Sequence, residues 1–360
     1  MKNLVPMILM RSAIIIALTW LAGCAGMEQY MPADAPPLTA DQEIKVGSTA
    51  EDRLLQLLGG PRHDQALLEE LDSLIKKEGG ASGRFTVTVA DKSAAALYAL
   101  PGGRIVVTRG VLSEISDQGE LVALLEGAAA LTRTAYSERA NRASNEATAE
   151  ILSLKESVYD PESGSIRLAR IFAQRPCEGR CLTSLLQSGV NRSGDVPESI
   201  RMLKGLQPAY ELLKEAQRLE KADNPSQAIT QYLNAASMAP EEPQILGSLG
   251  MAYLRTGDLQ TARLNLQKAV ELQPDYYKTR MGLGYLYLQQ GNVRKANDQL
   301  AESVRLLPVT ENLFLLAEAR EKGGDAEGGM SLYRLIVETD PHSKLGRTAA
   351  SRLARSKGVE

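Results

Sequence analysis

The sequence predicts an α+β domain followed by an all-α helical-repeat solenoid. Three observations predict it. Prolines at 240, 274, 308 and 341 stand 34, 34 and 33 residues apart, and glycines at 257, 291 and 324 keep the same step. Ahead of them, two β-rich runs lie among segments whose apolar residues recur at helical spacing. A short apolar run opens the chain and ends in a cysteine.

Lys2 and Arg11 precede a charge-free run from Ser12 to Leu21. It has the length of a signal-peptide core and is short for a bilayer span. It ends in Leu21-Ala22-Gly23-Cys24, which resembles the bacterial lipobox. That resemblance implies cleavage before Cys24 and transfer of a diacylglycerol to its thiol. An uncleaved N-terminal anchor with an incidental cysteine is the alternative. Ala25, where an Asp would favour the inner membrane, implies a lipid-anchored protein on the periplasmic face of the outer membrane. Residues 1–23 are therefore set aside as a leader, and 24–40 read as a tether, because Met31-Pro32-Ala33-Asp34-Ala35-Pro36-Pro37 suits neither helix nor sheet interior.

The formal charge is −3, and loss of Lys2 and Arg11 takes it to −5. There is no basic block to track phosphates, which argues against a nucleic-acid partner. The length left after residue 23 suits two domains, here 41–205 and 206–343, with a closing helix and tail over 344–360.

In the first domain, Ile44, Leu54, Leu55, Leu57 and Leu58 mark one helix, and Leu67, Leu68, Leu71, Leu74 and Ile75 a second. Gly79-Gly80-Ala81-Ser82-Gly83 breaks the pattern. Two strands follow, Phe85-Thr86-Val87-Thr88-Val89 and Arg104-Ile105-Val106-Val107-Thr108, joined through Pro101-Gly102-Gly103, and then a helix over 117–142. Residues 160–205 carry Gly164, Pro176, Gly179, Gly189, Gly194 and Pro197 between short helical pieces, and read as the tail of the first domain plus a linker. Within them Cys177-Glu178-Gly179-Arg180-Cys181 can close a local disulfide in an oxidising compartment. Free thiols or a functional pair are the alternatives.

From Ala209 the sequence repeats. Leu249, Gly250, Tyr253, Ala262, Leu266 and Pro274 of one unit, which also has Leu246 and Ala269, correspond to Leu283, Gly284, Tyr287, Ala296, Leu300 and Pro308 of the next. A period near 34 with paired amphipathic helices is the tetratricopeptide signature. Four such hairpins exceed the roughly three that a stable stack needs, and a helix over 344–355 would cap them.

The first domain resembles the HtpX and CAAX-prenyl-protease family of zinc metallopeptidases. The residues that carry the likeness are Gln42-Glu43-Ile44-Lys45-Val46-Gly47, Ala96-Leu97-Tyr98-Ala99-Leu100-Pro101-Gly102-Gly103, Val107-Thr108-Arg109-Gly110-Val111-Leu112 and Glu120-Leu121-Val122-Ala123-Leu124-Leu125. In that register the family's H-E-x-x-H helix falls on Gly127-Ala128-Ala129-Ala130-Leu131. Gly127 and Leu131 replace the histidine ligands and Ala128 the general base. Catalytic zinc needs imidazoles one helical turn apart and a carboxylate beside its water. The resemblance makes Glu146 a vestigial third ligand and Glu150 its former neighbour. A solvated helix face is the other reading of both. Only His63 and His342 remain in the chain, far apart in sequence. The expectation is a pseudopeptidase with no metal and no cofactor. A zinc endopeptidase with a relocated site is the alternative.

The repeat register predicts a concave groove lined by Met251, Arg255, Lys278, Tyr285, Gln289 and Phe314. Methionine and aromatic residues flanked by charge suit a protein or peptide ligand. The resemblance implies assembly or quality control of envelope proteins as the setting. The former peptidase strand at Pro-Gly-Gly offers a second mode, addition of an extended segment to an exposed edge.

Overall fold

The computed structural model describes residues 38–78, 85–139, 142–153, 157–174, 176–187 and 194–356. Cys24, the leader and the tether as far as residue 37 lie outside the described residues, while the last three residues of the expected tether, 38–40, lead into the first helix.

Helix α1, Ala40–Leu57, opens with a capping box in which Thr39 and Gln42 satisfy each other's backbone N–H groups. Helix α2, Gln65–Glu78, follows. Three strands come next: β1, Thr86–Ala90; β2, Leu97–Leu100; and β3, Arg104–Thr108. Their order is β1-β3-β2, with β3 parallel to β1 and antiparallel to β2. The Pro-Gly-Gly segment is a single 3₁₀ turn, and it joins β2 to β3. This corrects the two-strand expectation. Leu97-Tyr98-Ala99-Leu100 forms a strand of its own, with both its faces covered.

The pleat sends alternate side chains to two cores. Ile105 and Val107 of β3 join Leu97 and Val89 on one face, where α2 packs with α3 (Arg109–Glu114), α4 (Gln118–Arg139), α7 (Arg180–Gln187) and α8 (Glu198–Gly205). Val106, Tyr98 and Leu100 face α1, α5 (Arg142–Ser153) and α6 (Gly164–Ala173). Strand β2 and the centre of β3, covered on both faces, are apolar throughout, whereas β1 keeps Thr86 exposed and Thr88 bonded to Glu51.

The described residues of 160–205 thus include the expected tail of the first domain, and their apolar side chains pack in its cores. Leu168 and Phe172 belong to one core, and Leu182, Leu185, Ile200 and Leu203 to the other. Cys177 and Cys181 are bonded to each other, with Cα atoms 5.3 Å apart. A single residue, Leu206, separates α8 from the first repeat helix.

The second half is a stack of helical hairpins: α9 (Gln207–Lys221) with α10 (Pro225–Met238), α11 (Pro243–Thr256) with α12 (Leu259–Leu272), α13 (Tyr277–Gln289) with α14 (Val293–Leu306), and α15 (Thr310–Lys322) with α16 (Ala326–Thr339). Helix α17, Lys344–Ser356, closes it. Gly257, Gly291 and Gly324 take positive φ where each first helix ends. In the first hairpin Asp223 takes that conformation, at φ 57°. An Asp tolerates the left-handed region better than most residues, so the repeat persists there without its glycine.

Candidate functional site

Helix α4 carries Gly127, Ala128 and Leu131, the positions onto which the sequence resemblance places a zinc-binding motif. Ala128 is fully buried in the core, and Leu131 packs against the same core. A Cβ built on Gly127 would stand 2.4 Å from Cδ2 of Leu185 on α7. Gly127 therefore lets α7 lie directly on α4, and the space that an imidazole would occupy holds leucine. Glu146 is exposed on α5, and Glu150 forms an ion pair with Arg167 at 2.6 Å. Among the described residues there is no group of three or more His, Cys, Asp or Glu side chains that could hold a metal ion.

Addition of a segment beside Pro-Gly-Gly meets an obstacle. Strand β2 is buried along its whole length, and its outer edge is closed at Leu97, which exchanges both backbone hydrogen bonds with Cys177. The outer edge of β1 is bridged at Ala90 by Pro61. The exposed edge expected at β2 is therefore absent.

Of the predicted groove residues, Arg255, Lys278 and Gln289 are exposed, and Met251 and Tyr285 are half-buried. Met251 packs toward the next hairpin: a Cβ on Gly282 would stand 2.6 Å from its sulfur. Arg255 forms an ion pair with Glu220 of the preceding hairpin. Phe314 is a correction. It is buried, with its ring centroid 5.4 Å from that of Tyr333, and contributes to hairpin packing. Glu318 and Glu321 on α15 are both engaged by Arg352 of α17. The surface open to a partner thus centres on α13, with Lys278, Tyr285 and Gln289 on one helix and the half-buried Met281 between them.

A tetratricopeptide-repeat family model matches residues 213–277 and 281–344, and a second matches 253–308. Residues 213–344 form tetratricopeptide repeats. Among solved structures, a MamA crystal structure is 18% identical, covering 40% of this chain and 84% of its own, with a TM-score of 0.36. MamA 41-end from Desulfovibrio magneticus RS-1 is 24% identical over 41% of this chain and 96% of its own, with a TM-score of 0.35. The first tetratricopeptide domain of Spaghetti (RPAP3), bound to the HSP90 peptide SRMEEVD, is 20% identical over 33% of this chain and 94% of its own, with a TM-score of 0.32. No curated protein matches.

The sequence reading missed a buried polar cluster where the α+β part meets the tetratricopeptide repeats. Asp91, Arg109, Tyr210 and Glu242 are 3%, 1%, 4% and 7% exposed, so their polar groups face protein rather than water. Arg109 Nε donates to Asp91 Oδ1 at 2.7 Å. Arg62 grips Glu242 with two hydrogen bonds, of 2.9 and 2.8 Å. The Tyr210 hydroxyl lies between the two carboxylates, 3.1 Å from Asp91 Oδ1 and 2.5 Å from Glu242 Oε2. Two cations thus balance two anions. Burial raises the pKa of Asp91 against the pull of Arg62 and Arg109. Burial also works against the charged form of Glu242, yet the Arg62 hydrogen bonds and charge win and hold its pKa below the ordinary value. Desolvation and the two neighbouring acids push the Tyr210 phenol well above its ordinary value, so it remains a proton donor. The signal in the sequence was Arg109, a charge inside the apolar run Ile105-Val106-Val107-Thr108-Arg109-Gly110-Val111-Leu112.

Proposed function

We propose that this chain is a non-catalytic interaction scaffold of the bacterial cell envelope, held at the outer membrane by a lipid on Cys24. It binds an envelope protein or peptide through its tetratricopeptide groove. The observation that carries this reading is the contrast between two helices. On α13, Lys278, Tyr285 and Gln289 remain available to a ligand. On α4, the positions that would carry chemistry are filled by Ala128, Leu131 and the covering Leu185. Repeat stacks of this kind offer extended concave surfaces and need no catalytic group to use them.

In this reading the α+β part is a pseudopeptidase: the positions that the sequence resemblance assigns to the ligand set hold Gly127, Ala128 and Leu131. Its contribution is structural support for the repeats. The test is elemental analysis of purified protein together with a casein digestion assay. The expected result is less than stoichiometric zinc after dialysis and no cleavage. Tightly bound zinc with turnover that a chelator abolishes would overturn it.

A further inference from the structure

Five consecutive residues between α1 and α2 touch the turns that join successive repeat hairpins. The Gly59 carbonyl accepts a hydrogen bond from Gln244 Nε2 at 2.9 Å. Gly60 lies so close to the repeats that a Cβ on it would stand 2.6 Å from Gln273 Nε2 and 3.0 Å from the Tyr276 ring, and its φ is +88°. The Pro61 carbonyl accepts from Gln273 Nε2 at 2.6 Å, Arg62 holds Glu242, and His63 Nε2 lies 2.7 Å from Asp275 Oδ1.

Helix α1 continues the contact along the stack. Gln56 donates to the Asp275 carbonyl at 2.6 Å and accepts from the Tyr277 N–H at 2.9 Å. Arg53 donates to the carbonyls of Arg305 and Leu306, at the end of α14. Those carbonyls lack intrahelical partners, and a guanidinium suits the negative end of the helix. One element therefore reaches three successive inter-hairpin turns: at 239–243, at 273–277 and at 305–309.

We infer that α1 and its trailing turn are a strut that sets the spacing and curvature of the tetratricopeptide stack. In a free solenoid each repeat touches only its neighbours, and curvature is the sum of small rotations between them. A rigid body fixed to three turns removes that freedom. The groove is then preset, and a partner meets a surface whose ordering cost has already been met in folding. Helix α1 can act in this way because Val46, Ala50, Leu54 and Leu55 are buried in the core beneath the sheet.

The experiment uses the full chain carrying Gln244→Ala, Gln273→Ala and Asp275→Ala together, compared with wild type by solution X-ray scattering and amide hydrogen exchange. The expected result is unchanged helical content, a larger radius of gyration, and exchange at 273–277 and 305–309 faster by roughly tenfold or more. Scattering and exchange that match wild type would overturn the strut. Wild-type native-state exchange in urea supplies a second test that no misfolding can spoil. The amides of α1 and of the three turns should open together. Turns that open at lower urea than α1 would overturn the inference.

Discussion

The guanidinium carbon of Arg109 lies 3.2 Å from the centroid of the Tyr210 ring. Arg109 opens the helix after β3, and Tyr210 belongs to the first repeat helix. Their stacking joins the two halves of the chain with a cation over an aromatic face, both out of water, where such contacts are strongest.

Replacing Asp91 with Ala leaves Arg109 buried without its carboxylate. Removing one partner of a buried pair costs about 3–5 kcal/mol. Tyr210→Phe removes only the hydroxyl shared by two acids, at about 1–3 kcal/mol. Urea denaturation of the full chain should rank the two in that order. Equal midpoints for both variants and wild type would show that the cluster adds nothing to stability.

Helix α4 has no room for the residues of a zinc motif at the positions that the sequence resemblance assigns to one. Gly127→His, Ala128→Glu and Leu131→His together would drive an imidazole into Leu185 and bury an acid in an apolar core. The triple variant is expected to lose at least about 2 kcal/mol and to bind no stoichiometric zinc. Elemental analysis and thermal unfolding check both halves of that expectation.

How much of this was legible in the sequence differs between the halves. The repeats were legible because each hairpin ends in a proline and three of its turns need glycine. The α+β elements were partly legible. Strand β2 was hidden because its residues, Leu97-Tyr98-Ala99-Leu100, do not alternate, being buried on both faces. Residues 160–205 looked like a domain tail and a linker because glycine and proline interrupt them, although their apolar residues fill both cores. The junction was illegible because its partners are far apart in the chain: Arg62 with Glu242, and Asp91 with Tyr210. No local pattern announces such a pair. Phe314 was misplaced because repeat register says which face a side chain leaves from, and the neighbouring Tyr333 decides where it comes to rest.

The His63–Asp275 contact gives the junction a pH dependence. The hydrogen bond to Asp275 raises the His63 pKa above its ordinary 6.5, against partial desolvation. A raised histidine stabilises the folded state fully below the unfolded pKa, and that contribution is lost as pH rises through the folded one. The difference in stability between wild type and His63→Asn should therefore be largest below about pH 6 and fade above neutrality. Because the pair is half exposed, its size is a few tenths of a kcal/mol. Paired denaturation curves at acidic and alkaline pH measure it, and a difference that grows with pH would contradict the assignment.

The proposed lipid anchor has a direct readout. Cys24→Ala should abolish incorporation of labelled palmitate and release the protein into the soluble periplasmic fraction. Retention of the variant in outer-membrane fractions, with label, would mean that Cys24 is not the modified residue.

The scaffold reading is tested most directly by affinity capture from envelope extract at moderate salt, with the wild-type chain beside a Lys278→Glu, Tyr285→Ala variant. Lys278 is exposed on α13, and Tyr285 is half-buried at the edge of the hairpin core. The account predicts a defined protein retained by wild type and lost from the variant, with equal folding of the two baits by circular dichroism. Identical proteins recovered at identical yield on both baits would contradict it.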